Sequence, residues 1–235
     1  MTMETLSEFW VRTNAFIWDS FPRDDGLVTN PNLSRKVRPD GGFAPFFGNT
    51  VVFPLPEEVR RRLGVLRDAL HASCGSILAE PLATDSFHIT LHDLLSGPPS
   101  AALGEQVAIT RKQALDCVGH IGEQGGAVRL HSTALFQMVN TSLVLGFAPA
   151  DEASCQRLMT GYARLQEVVP LSYPLTPHVT LAYFRPGRVE PEQVERLRGI
   201  AERVRQQPQL EVVLPLRALE YQLFFDMNHY RMGAE

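Results

Sequence analysis

The chain has 235 residues, 44% hydrophobic and 20% charged, with 17 Gly and 17 Pro, a globular composition that excludes a fibrous or disordered polymer. Its formal net charge of −4 argues against sequence-independent duplex DNA binding, which draws on a basic excess. A small phosphorylated ligand or an RNA end, held by a few local cations, is compatible with it.

No apolar run approaches the roughly 20 residues needed to span a bilayer, so no membrane partner is expected. The first twenty residues carry Glu4, Glu8 and Asp19 and lack a basic start followed by a long apolar stretch. They do not read as a signal peptide. Three cysteines, Cys74, Cys117 and Cys155, are odd in number and widely spaced, which points to a reduced, cytoplasmic setting without a disulfide framework.

In chain order, Leu6, Phe9, Trp10, Ala15, Phe16, Ile17 and Trp18 suit a short helix packed on the body. Residues 21–42, rich in Pro, Asn, Asp and Gly, read as a long ordered arm. Residues 1–48 are therefore expected to pack on a body comprising 49–235. In that body, Thr50 to Leu55 is β-branched and aromatic, a strand. Glu57 and Glu58 then open a helix carrying Val59, Leu63, Leu66 and Leu70, stopped near Gly75. Ser86 to Leu95 reads as a strand, Leu103 to Ile121 as a helix and Ala127 to Met138 as extended. Thr141 to Phe147 is a strand and Asp151 an N-cap for the helix of Leu158, Tyr162 and Leu165. A proline-bounded strand follows at Pro177 to Phe184, then a helix opened by Glu190 and Pro191, then a β-rich end over Leu210 to Phe225.

The plan repeats. Asn49-Thr50 matches Asn140-Thr141 at an offset of 140 − 49 = 91 residues. His88-Ile89-Thr90-Leu91 matches His178-Val179-Thr180-Leu181 at 178 − 88 = 90. Each copy is strand, helix, strand, ending in His-x-Thr-Leu. Side chains alternate along a strand, so each word puts an imidazole and a hydroxyl on one face and apolar groups on the other. Two lobes related by an approximate two-fold would bring two histidines and two threonines around one point. One neutral imidazole can take a proton while the other, protonated, delivers one to a leaving alkoxide. Threonine hydroxyls can donate to non-bridging phosphate oxygens.

These paired words resemble the two signatures of the 2H phosphoesterase superfamily, which includes 2′-5′ RNA ligase-like proteins, cyclic nucleotide phosphodiesterases and relatives that trim RNA ends. The resemblance covers roughly residues 50–225. It implies an α+β, bilobal fold of two pseudo-symmetric lobes, each an antiparallel sheet with helices, and an active-site cleft between them. It also implies metal-independent chemistry without a cofactor on 2′,3′-cyclic or 2′-5′ phosphoesters. His88 and His178 would be the catalytic pair, and Thr90 and Thr180 would hold the phosphate. The segment KVRPDGGFAPFFGNT, residues 36–50, resembles a leader in a branch of that superfamily whose activity is unassigned, and would border the cleft.

Other residues carry competing readings. Strict alternation puts His92 on the face of His88 and Thr90, where it would touch substrate or stand behind the contacts; with Asp93 it falls short of the three or four ligands zinc requires. Arg185 is a candidate for neutralising phosphate. Tyr183, sharing a face with Val179 and Leu181, reads as core. Phe43, Phe46 and Phe47 suit either base stacking or anchoring of the arm, and Tyr221 and Phe225 carry the same ambiguity. Arg60 to Arg62 read as a solvated face. The expected activity is hydrolysis of a nucleotide or RNA-terminal phosphodiester, most simply a 2′,3′-cyclic phosphate, by a monomer. A nucleotide- or RNA-end-binding module, or 2′-5′ RNA ligase-like activity, are the alternatives.

Overall fold

The structure, a computed structural model, describes residues 4–18, 20–22 and 25–233. Asp19 and the side chains of Phe16 and Trp18, part of the N-terminal reading above, lie outside the described residues. Helix α1 (Leu6–Trp18) is followed by β1 (Leu27–Val28), β2 (Phe47–Pro54), α2 (Glu57–Cys74), β3 (His88–Gly97) and α3 (Ala101–Glu123). The second half runs β4 (Ala127–Met138), β5 (Ser142–Pro149), α4 (Glu152–Gln166), β6 (His178–Tyr183), β7 (Arg188–Val189), α5 (Pro191–Arg205), β8 (Glu211–Pro215), β9 (Glu220–Phe224) and β10 (Tyr230–Met232).

Local chemistry sets the helix starts. Asp151 accepts a hydrogen bond from the Ser154 amide at 2.7 Å, and Glu190 with Gln193 forms a reciprocal capping box before Pro191; both satisfy amides that helical bonding leaves free. In α2 the acidic pair Glu57 and Glu58 occupies the first turn while Val59, Leu63 and Leu70 are buried, one apolar stripe at helical spacing.

Two antiparallel four-stranded sheets form the lobes, in the orders β10-β9-β2-β3 and β6-β5-β4-β8. Units β2-α2-β3 and β5-α4-β6 are the two copies foreseen from sequence. The ladders align Val52 with Thr90 and Val144 with Thr180, so Val52 corresponds to Val144 and Asn49 to Thr141. The Asn-Thr match is thus one residue out of step: Asn49 lies inside β2, whereas Asn140 sits in the turn before β5 with φ 58°. The expected Asn140-Thr141 strand opening is corrected accordingly.

Each lobe borrows its third strand. After α3 the chain crosses to pair β4 with β5, and after α5 and β8 it crosses back to pair β9 with β2. Helices cross as well, α2 packing on β6 and α4 on β3. One hydrophobic cluster accordingly runs through both sheets, from Phe53 and Ile89 to Leu145 and Val179. β3 and β6 are the edge strands of their sheets and lie against each other at the centre.

The N-terminal segment is tied to this body. The Leu6 amide donates to Glu152 at 3.0 Å, β1 pairs with β7, and Leu33, Val37, Phe43 and Phe46 are buried. Of the two readings for the arm aromatics, anchoring describes Phe43. Phe46 anchors too, but also lines the cleft described below. Among the described residues, no helix is long and apolar enough to cross a membrane. Cys74, Cys117 and Cys155 are unpaired.

Candidate active site

The His-x-Thr words begin both central edge strands, and each is followed by a β-bulge. In β3 the register jumps from Val52↔Thr90 to Val51↔His92, leaving Leu91 as the extra residue. In β6 it jumps from Val144↔Thr180 to Leu143↔Ala182, leaving Leu181 extra. An extra residue reverses the alternation beyond it. His88, Thr90 and Asp93 therefore share one face, as do His178, Thr180 and Tyr183, and all six line a single cleft of about 830 Å³ between the lobes.

This bulge corrects two sequence readings that assumed unbroken alternation. Tyr183 does not join Val179 and Leu181 in the core; it lines the cleft beside Thr180. His92 is turned to the buried side of β3, off the face of His88, yet it still contributes to the lining of the same cleft. It is 1% exposed, with its ring 5.2 Å from that of Tyr162. Gln166 and the Asp93 backbone lie near it, yet neither ring nitrogen makes a hydrogen bond of ordinary geometry.

Nδ1 of His178 lies 2.7 Å from the carbonyl of Thr176, and the backbone of Ser86, again two residues upstream, favours the protonated form of His88. A carbonyl only accepts, so Nδ1 of His178 carries the proton, and in the neutral ring Nε2 is left with a free lone pair. Burial is the main reason both rings resist protonation, taking His88 down to about 4 and lowering His178 as well. Charge on His178 further disfavours charge on His88, while the Asp93 carboxylate partly offsets the effect in both. Both imidazoles are therefore neutral in the empty cleft at neutral pH.

Around them stand groups that periodicity did not reveal. Tyr173 donates its hydroxyl to Asp93 at 3.0 Å. Tyr230, from the unforeseen strand β10, packs its ring edge-on to His88 with centroids 4.8 Å apart. Lys36 reaches in from the arm, its ammonium 5.0 Å from the Phe46 ring centre and 5.8 Å from that of Tyr183. Tyr173 and Lys36 sit in irregular segments, where side-chain direction has no period to betray it. The equal spacing of Asp93 and Tyr183 after their histidines was the one available signal.

Three sequence candidates lie outside the cleft wall. Arg185 donates from Nε to the Leu78 carbonyl at 2.8 Å and lies under Gly41 of the arm; it fastens loop to loop. Tyr221 is 3% exposed, its hydroxyl accepting from Asn49 at 3.1 Å. Phe47 packs on Phe225, with centroids 5.7 Å apart. Among the described residues, no three His, Cys, Asp or Glu side chains converge as metal ligands would.

Neither a family model nor a curated protein matches the sequence. Solved structures do match. A conserved protein of unknown function from Agrobacterium tumefaciens aligns at 18% identity over 87% of this chain and 91% of that one, with a TM-score of 0.67. The TT0787 protein of Thermus thermophilus aligns at 16% identity over 80% and 95%, with a TM-score of 0.50. A weaker likeness, TM-score 0.42 at 17% identity over 80% and 94%, extends to apo LigT of E. coli. At these identities the likeness shows the fold alone, an α+β architecture of two antiparallel sheets with helices, as expected from the sequence.

Proposed function

We propose that the protein is a phosphodiesterase of the two-histidine type, acting on a nucleotide or RNA-terminal phosphodiester, most simply a 2′,3′-cyclic phosphate. The observation that carries this reading is the matched pair of imidazoles facing one cleft, each two residues before a threonine on the same face of its strand. A cleft of about 830 Å³ is in the range that small ligands and cofactors fill, and suits one nucleotide or the end of an RNA.

The chemistry needs one proton taken and one given. A water oxygen attacks phosphorus as one neutral imidazole removes its proton. The P–O bond to the ribose oxygen breaks, and the second imidazole, protonated, delivers its proton to that leaving oxygen. The product is a phosphomonoester, and the two rings exchange protonation states through solvent. Because burial keeps both rings neutral in the empty cleft, the acid acquires its proton when the anionic phosphate arrives and favours imidazolium. Thr90 and Thr180 would donate to the non-bridging oxygens as charge accumulates there.

The test is a panel of 2′,3′-cyclic nucleotides, 2′-5′ dinucleotides and RNA with cyclic ends, run on wild type, His88→Ala and His178→Ala with and without EDTA. Each variant is expected to lose about 10²–10⁴-fold in turnover with its melting transition still cooperative, and EDTA is expected to leave the wild type active. If either variant turns over at the wild-type rate, the two-histidine assignment is wrong.

A further inference from the structure

The repeat supplies the cleft with a two-fold set of groups, but it supplies no fixed cation. That comes from outside the repeat. Among the described residues, the cleft wall contains two permanent cations, Arg12 and Lys36. Arg12 is already engaged, bonded through two nitrogens to Glu4 at 2.7 and 2.8 Å. Among the described residues, Lys36 makes no hydrogen bond or ion pair through its ammonium, only the two aromatic contacts given above.

Its backbone is pinned on both sides. The Lys36 amide donates to Leu33 at 2.8 Å, its carbonyl accepts from Ala44 at 2.9 Å, and Val37 bridges to Phe43. The side chain thus leaves a fixed point, and folding has met the cost of holding it there. Lys36 is half-buried, and an ammonium partly withdrawn from water without hydrogen-bond partners carries a penalty. Burial accordingly lowers its proton affinity, with Asp93 opposing that effect. Asp93 does not close on it as an ion-pair partner, being held instead by Tyr173. Lys36 and His178 also feel each other's charge, so the ammonium stands near the reacting groups and has hydrogen-bonding capacity unused.

We propose that Lys36 is a third phosphate-binding residue of this cleft, a charged donor brought by the arm to the phosphoryl group that the two His-Thr pairs flank. The inference rests on the phosphodiesterase reading and deepens it. A phosphodiester carries a single negative charge, and among the described residues Lys36 supplies the one cation in the cleft wall not already paired. Three donors, Lys36, Thr90 and Thr180, would then share the non-bridging oxygens, and the ammonium, lying on the Tyr183 side, would break the two-fold equivalence of the site.

The experiment uses inorganic phosphate as probe, titrated by ³¹P NMR into wild type, Lys36→Met and Lys36→Arg, with melting temperatures in phosphate-free buffer and cyclic-nucleotide turnover measured alongside. Lys36→Met is expected to weaken phosphate binding by about tenfold or more, and Lys36→Arg to retain it within a few-fold. Lys36→Met is also expected to melt at or above the wild-type temperature without phosphate, since an unpaired, half-buried charge has been removed. Phosphate binding unchanged in a folded Lys36→Met overturns the proposal while leaving the phosphodiesterase reading intact. A marked fall in its phosphate-free melting temperature overturns it too, by making the ammonium structural. A wild type that neither binds phosphate nor turns over any cyclic nucleotide overturns both.

Discussion

The Tyr173 hydroxyl, 3.0 Å from a carboxylate oxygen of Asp93, fixes the carboxylate that borders both histidines. That carboxylate favours the protonated form of each ring. Replacing it in Asp93→Asn leaves both imidazoles harder to protonate. Since the general acid must carry its proton, the alkaline limb of kcat/KM against pH is expected to move to lower pH. Tyr173→Phe keeps the charge and should leave that limb close to the wild type. Measured profiles in which Asp93→Asn leaves the limb in place would remove Asp93 from the electrostatics of the site.

His88 also links stability to acidity. Folding takes its pKa from an ordinary 6.5 to about 4, so between those values the unfolded chain binds a proton that the folded one refuses. Stability conferred above pH 6.5 is therefore lost progressively as pH falls toward 4. His88→Gln has no such proton to bind. Its melting temperature should decline less than that of wild type between pH 7 and 4.5, by calorimetry or circular dichroism. Parallel declines would mean that the ring is not buried against protonation.

Gly146 pairs in register with His178, and a Cβ there would meet Thr133 Oγ1 at 2.6 Å and the Phe136 ring at 2.8 Å. Gly146→Ala must push β4 away from β5 beside the histidine. A loss of about 1–3 kcal/mol in denaturant unfolding is expected, with reduced turnover. An unchanged midpoint would show that the sheet yields more readily than its packing suggests.

Arg185 tests the difference between sequence and fold. Its guanidinium ties to Leu78 and lies against Gly41, so Arg185→Ala should cost stability, about 1.5 kcal/mol for a lost charged hydrogen bond at an exposed side chain, while KM stays within about twofold. A tenfold rise in KM at unchanged stability would restore it as a substrate contact.

Legibility from sequence followed periodicity. The helices of Leu63 and Leu158, the caps at Asp151 and Glu190, and both His-x-Thr strands were visible because alternation and 3.6-residue spacing survive in them. Alternation also misled, at Leu91 and Leu181. A bulge inserts one residue on the apolar side, and it exchanged the faces assigned to His92 and Tyr183. Lys36 and Tyr173 were beyond such reasoning, because their directions are set by tertiary contacts of irregular chain. Tyr221 fell to the core because β9 crosses back to β2, a pairing between residues far apart in sequence.

The crossing of β4 and β9 has a consequence for cooperativity. In each half a late strand pairs with the first strand of the other half, β4 with β5 and β9 with β2, so neither sheet is complete within one repeat and the two halves cannot come apart without breaking both sheets.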